Sequence, residues 1–158
     1  MNELRKKRKE IGISQLQAAN ACGVSLRTYQ TYEETDIKNE TSSELYEKIK
    51  AMGIFDGTNF IVGVSYIKQV CRKIFKEQYP EIECAYLYGS YARREATGKS
   101  DIDILVVLKK PMGLKFFGIS DVLEEELHKK VDLQSYEQLI GNASMLRDIL
   151  VEGIKIYG

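Results

Sequence analysis

A chain of 158 residues has room for one ordinary domain or two small ones. At 44% hydrophobic and 29% charged it suits a soluble globular protein with a core, and its 23 basic residues are matched by 23 acidic ones, so no net field draws the whole molecule onto nucleic acid. No stretch approaches the roughly 18 apolar residues of a membrane span, and the basic N-terminus lacks a following apolar segment, so a cytoplasmic protein without a secretion signal is expected.

Four short helices are expected first. Residues 2–11 place Leu4, Arg8 and Ile11 on one side, with Asn2 as cap. Ser14 caps a second helix whose small-residue face carries Leu16, Ala18, Ala19 and Cys22. Gly23 closes it, where a left-handed C-cap needs no side chain. Ser25 caps a third helix through about Glu34, and Ser42 or Ser43 starts a fourth carrying Leu45, Ile49 and Met52 at helical spacing. Together they make an all-α domain over residues 1–52. Residues 53–61, with Gly53, Asp56, Gly57 and Asn59, read as a linker.

A second domain over residues 62–158 follows a different pattern. Ile67, Val70, Cys71 and Ile74 outline a helix that ends before Pro80. Ile82 to Leu87 is a strand with Ala85 and Leu87 on one side. Gly89-Ser90 is a turn, and Tyr91 to Ala96 a helical turn. Ile102 to Leu108 is apolar enough for a strand buried on both faces. Residues 116–129 are helical with Phe117, Val122 and Leu127 inward, Val131 to Tyr136 is a strand, Ala143 to Val151 a helix, and Ile154 to Tyr157 an edge strand. The expected class is α+β: an all-α domain followed by an α/β domain around a small mixed sheet. Cys22, Cys71 and Cys84 form no CxxC pair and no zinc pattern with the single His128, so they read as reduced core thiols.

The chemistry concentrates in residues 89–106. Gly89 follows a strand and opens a helical turn, where backbone N–H groups can face an anion and a side chain would block a phosphate. Ser90 adds a hydroxyl donor. Asp101 and Asp103 stand two apart at a strand start, so the period of two puts both carboxylates on one face while Ile102 and Ile104 point to the core. Two adjacent carboxylates are costly without a positive partner, and a divalent magnesium ion supplies one through oxygen ligands. A third carboxylate on a neighbouring strand is then expected, and Asp132 is placed for it. Taken singly, a Gly-Ser turn or an Asp-x-Asp at a strand start is ordinary; their joint occurrence with an apolar strand behind them is not.

Residues 85–108 resemble the signature of the DNA polymerase β-like nucleotidyltransferases: Gly-Ser, ten residues, Asp-x-Asp. The wording around Ala92-Arg93, Glu95-Ala96 and Ser100-Asp101-Ile102-Asp103 is similar to the minimal nucleotidyltransferase (MNT) family, and the resemblance covers about residues 62–158. It implies that Gly89 and Ser90 hold the β- and γ-phosphates of ATP, that Asp101 and Asp103 bind two magnesium ions, and that Asp132 binds the catalytic ion and helps activate the nucleophile. Arg93 is either a phosphate ligand or a structural partner of Glu95. Members usually carry glycine where this chain has Arg94. The resemblance also implies an antitoxin that transfers AMP to a tyrosine of a HEPN ribonuclease toxin.

The N-terminal run from Leu4 to Gln15, then Gly23-Val24-Ser25 and Tyr32-Glu33, resembles the Xre/Cro-type helix-turn-helix over about residues 2–52. That implies a third helix in the major groove. Gln15 would then meet the DNA backbone, Arg27, Thr28 and Thr31 the bases, and Gln30 the side of the contact. Tyr29 takes the family's buried position. Residues 1–52 hold nine basic and eight acidic residues, and 53–158 hold fourteen and fifteen, so DNA affinity would have to be local. The run Arg5 to Lys9 is a phosphate patch or the solvated face of the first helix. A dimer on the operon's own promoter is expected, as a homodimer or within a hetero-oligomer. Two competing readings share the fold: a transcriptional regulator that senses nucleotide without turnover, and an antibiotic nucleotidyltransferase.

Overall fold

Capping chemistry sets the helix boundaries in the first of two units into which the chain divides, Met1–Tyr66 and Ile67–Gly158. The computed structural model describes residues 2–11, 13–35, 39–55 and 60–158. Helix α1 (Glu3–Ile11) begins where the Asn2 side chain accepts from the Leu4 N–H at 2.8 Å. Helix α2 (Gln15–Cys22) has a reciprocal capping box between Ser14 and Gln17, and ends on Gly23 at φ +72°. Ser25 caps α3 (Leu26–Glu34) by accepting from the Thr28 N–H. Helix α4 (Glu40–Ala51) starts earlier than Ser42: Asn39 is its cap, accepting from the Ser42 N–H at 2.8 Å, and the Ser42 hydroxyl accepts in return from the Asn39 N–H at 2.9 Å. The expected start at Ser42 or Ser43 is therefore corrected by one turn.

Leu4, Ile11, Ala18, Ala19, Cys22, Tyr29, Leu45 and Ile49 form the buried side of these helices. Leu16 departs from that side and is 54% exposed, while Ala18, Ala19 and Cys22 take the buried face of α2. Residues 53–61 are not simply a linker. Gly53–Phe55 (β1) pairs antiparallel with Phe60–Val62 (β2), while the remainder of that expectation, residues 56–59, lies outside the described residues.

Helix α5 (Val64–Gln78) buries Ile67, Val70, Cys71, Ile74 and Phe75. Strand β3 (Ile82–Tyr88) leads into a single helical turn, α6 (Gly89–Ala92), which begins at the glycine and ends before Ala96. Strand β4 (Ile102–Leu108) follows, then a 3-10 turn over Gly113–Phe117 and α7 (Gly118–Leu127). Strand β5 (Val131–Ser135), the short helix α8 (Tyr136–Leu139), helix α9 (Ala143–Glu152) and strand β6 (Ile154–Tyr157) complete the unit. Helix α7 turns Ile119, Leu123 and Leu127 inward; Phe117, expected to be buried, is 66% exposed because it ends the 3-10 turn rather than joining the helix.

The sheet order is β5-β4-β3-β6, with β6 and β5 at the edges. Strand β3 runs antiparallel to β4 and β6, and β4 runs parallel to β5, so the sheet is mixed. Ile102, Ile104, Val106, Ala85 and Leu87 are fully buried. On the face of Ala85, Phe75 of α5 meets Tyr157 edge-on at 5.4 Å. The opposite face carries Tyr88 and Leu105, packed with Leu139 of α8 and Ile149 of α9. Among the described residues no helix is long and apolar enough to cross a membrane.

Candidate active site

Three strands bring one row of polar side chains together. Tyr88, the last residue of β3, is the register partner of Asp103 in β4. Asp103 is in turn the register partner of Asp132 in β5. Residues directly opposite one another project to the same face of a sheet, so Tyr88, Asp103 and Asp132 line up across it. The bond from the Ile102 N–H to the Lys130 carbonyl, 2.9 Å, opens the parallel ladder just before that row and fixes its register.

Gly89 follows Tyr88 at φ +70°, a conformation that favours glycine. Its place also leaves no room: a Cβ there would lie 2.3 Å from the Asp103 Oδ2. A glycine here keeps a phosphate's path clear in sequence terms, yet the atom that a side chain would strike first is the Asp103 carboxylate. Ser90, half-buried, is the second residue of α6. The first N–H groups of such a turn have no partner within it.

Asp103 is half-buried. Burial raises its carboxyl above the usual carboxylate range; the charges of Asp132 and Asp101 raise it further, and Arg93 opposes them. Asp101 does not share the strand. It precedes β4, is exposed, and lies 3.6 Å from the Lys130 ammonium. Asp132 is exposed on β5. Arg93 donates to Glu95 at 2.8 Å and also pairs with Glu152 of α9 at 3.6 Å. Of its two expected roles, the partnership with Glu95 is thus present. Arg94 stands at φ +61°, in the left-handed region that favours glycine.

Among the described residues, no three carboxylate, imidazole or thiol groups are gathered closely enough to hold a metal ion by themselves. The donor chemistry nevertheless fits magnesium. That ion takes oxygen ligands and uses one or two carboxylates together with substrate phosphates rather than an all-protein cage. Asp103 and Asp132, side by side and mutually repelling, are such a pair.

The residues expected to read DNA lie in the other unit. Arg27, Thr28 and Thr31 are exposed on α3. Gln15 and Gln30 are committed internally: the Gln15 amide donates to Glu33 at 2.8 Å, and its oxygen accepts from Gln30 at 3.2 Å. Glu33, 2% exposed, also accepts from Arg8 at 2.5 and 3.2 Å. This buried network was not foreseen from sequence. Its only local sign is a charged residue, Glu33, at a helical spacing that faces inward beside Tyr29. Tyr88 and Glu152 were missed at the other site, where only the strand register and the position of α9 reveal them.

Residues 69–158 match the family described as polymerase beta, nucleotidyltransferase. Two proteins of Methanocaldococcus jannaschii, each named "putative protein adenylyltransferase", are similar to this chain. One is 49% identical over 74 residues, 44% of this chain and 74% of that protein. The other is 45% identical over 74 residues, 44% of this chain and 85% of that protein. A crystal structure of a toxin-antitoxin with AMP-PNP superposes at a TM-score of 0.48 and 23% identity, over 58% of this chain and 73% of that one.

Proposed function

The chain belongs to the polymerase beta nucleotidyltransferase family, and from that premise we propose that it transfers AMP from ATP to a hydroxyl group of a partner protein. The observation that carries this reading is the packing of Gly89 against Asp103, with Asp132 opposite on the next strand. Two magnesium ions, for which Asp101, Asp103 and Asp132 would provide carboxylate ligands together with the phosphates, would supply positive charge to offset the triphosphate and the departing pyrophosphate. Gly89 leaves the carboxylate its place, while the Ser90 hydroxyl and the first N–H groups of α6 hold the β- and γ-phosphates. Asp132 accepts the proton of the acceptor hydroxyl as its oxygen bonds to the α-phosphorus and the bond to pyrophosphate breaks. Arg93, held by Glu95 and Glu152, braces the turn against α9.

The name shared by the two archaeal relatives supports a protein acceptor. The MNT resemblance of residues 85–108 narrows it to a tyrosine of a HEPN toxin, which would make this chain the antitoxin. The test is incubation with labelled ATP, magnesium and the neighbouring gene product, followed by mass spectrometry. An AMP adduct on a tyrosine of the partner is expected. Label on a small molecule such as an aminoglycoside, with the partner unmodified, overturns the reading in favour of an antibiotic-modifying enzyme.

A second activity is favoured by the first unit: capped α2, the left-handed turn at Gly23 and an α3 that exposes Arg27, Thr28 and Thr31. We propose that it binds the promoter of its own operon as a helix-turn-helix, in a dimer. Arg27→Ala should weaken binding to the cognate site by roughly 1–3 kcal/mol if Arg27 pairs with a guanine. A gel shift with equal affinity for promoter and random DNA refutes this activity.

A further inference from the structure

The hydroxyl of Tyr88 has no hydrogen-bond partner among the described residues, although the side chain is only 7% exposed. Its ring is accounted for: it packs with Leu105, Leu139 and Ile149, which a phenylalanine would do equally well. The hydroxyl is not. A buried polar group left unpaired is destabilising, so its retention calls for a partner in another state of the site.

The register says where that partner lies. Tyr88, Asp103 and Asp132 occupy one row on three adjacent strands. With strands about 4.8 Å apart, Tyr88 and Asp132 are separated by two spacings, roughly 9.6 Å between backbones. A tyrosine extends far enough to pass over the short Asp103 side chain toward Asp132. The hydroxyl feels both carboxylates: burial raises its pKa first, then the charge of Asp132, then that of Asp103.

We propose that Tyr88 is a positioning residue, whose hydroxyl donates to the Asp132 carboxylate when the nucleotide is bound and Asp132 turns inward from its exposed position. The bond fixes which Asp132 oxygen faces the cation and which faces the acceptor hydroxyl. Hydrogen-bond partners behind a ligating carboxylate orient it in this way, and their loss typically weakens metal affinity or activity by roughly 10–100-fold. The inference rests on the nucleotidyltransferase reading of the same site.

The test is Tyr88→Phe in the full chain, which removes the hydroxyl and keeps the ring. Manganese, as a spectroscopically visible substitute for magnesium, is titrated in the presence of a non-hydrolysable ATP analogue, and thermal unfolding is followed without ligand. Tyr88→Phe should weaken manganese binding roughly tenfold while the ligand-free midpoint stays equal or rises. In an Asp132→Asn background, Tyr88→Phe should have no further effect on manganese affinity. Three results overturn the inference: unchanged manganese affinity, a lowered ligand-free midpoint with unchanged affinity, or an equal loss in the Asp132→Asn background. Failure of the wild-type chain to bind manganese with the analogue at all would instead refute the underlying enzymatic reading, so the two failures are distinct.

Discussion

A Cβ on Gly89 would stand 2.3 Å from the Oδ2 of Asp103, so the backbone of the turn after β3 and the carboxylate of the next strand occupy adjoining space with none to spare. The same residue sits at φ +70°. Gly89→Ala therefore meets two obstacles, a strained backbone and a displaced carboxylate. It should destabilise the chain by roughly 1–3 kcal/mol and abolish transfer. Adding Asp103→Ala removes the struck atom, so part of the lost stability should return while activity does not. Denaturant unfolding of the two variants decides this. Gly118→Ala, where a Cβ meets nothing within 4 Å, is the control and should cost nothing.

Arg94→Gly should act in the opposite sense. Arg94 holds a left-handed conformation at φ +61° that L side chains rarely adopt and glycine adopts freely. The substitution should raise stability by about 1 kcal/mol. A lowered unfolding midpoint in urea would mean that the arginine side chain makes a contribution larger than its backbone strain.

Asp103→Asn should separate stability from function. Burial, with the charges of Asp132 and Asp101, holds the Asp103 carboxyl above its ordinary value. A raised folded-state value means that the favourable contribution belongs to the protonated form: it is present below the unfolded-state pKa and lost as pH rises through the folded one. Near neutral pH the ionised carboxylate is thus a liability. Asp103→Asn should raise the thermal midpoint at neutral pH, with the gain shrinking as pH falls into the carboxylate range, and should abolish AMP transfer. An unchanged midpoint across that range would contradict the electrostatic account.

Glu33 predicts an acid limb for the first unit. Burial pushes its carboxyl up, but the hydrogen bonds from Arg8 and Gln15 prevail and hold it below its ordinary value. For a depressed carboxyl, stability is present above the unfolded-state pKa and is lost as pH falls through the folded one. The unit should therefore weaken below about pH 4. Glu33→Gln should flatten that limb, and Arg8→Met, which strands the carboxylate, should cost roughly 3–5 kcal/mol at neutral pH. Circular dichroism of urea unfolding at stepped pH measures both.

Local chemistry made much of this molecule legible in its sequence. Ser14, Gly23 and Ser25 announce their helix boundaries because capping bonds span only three residues and a left-handed turn favours glycine. The alternation in Ala85 and Leu87 and the apolar run from Ile102 gave strands, since the period of two is a property of the chain itself. Gly89, Ser90, Asp101 and Asp103 stand within fifteen residues, so their association as a motif needed no tertiary information. What lay beyond reach depends on pairing between distant segments. That Asp132 falls opposite Asp103, and Tyr88 opposite it on the other side, is decided by strand register, which is set by packing across the whole sheet. Phe117 faces outward because a 3-10 turn replaces the first helical turn, and Asp101 meets Lys130 because the two lie beside each other at the ends of parallel strands. The buried Glu33, joined to Arg8 and Gln15 across three helices, likewise exists only once those helices pack, because a charge can be taken out of water only where folding supplies its partners.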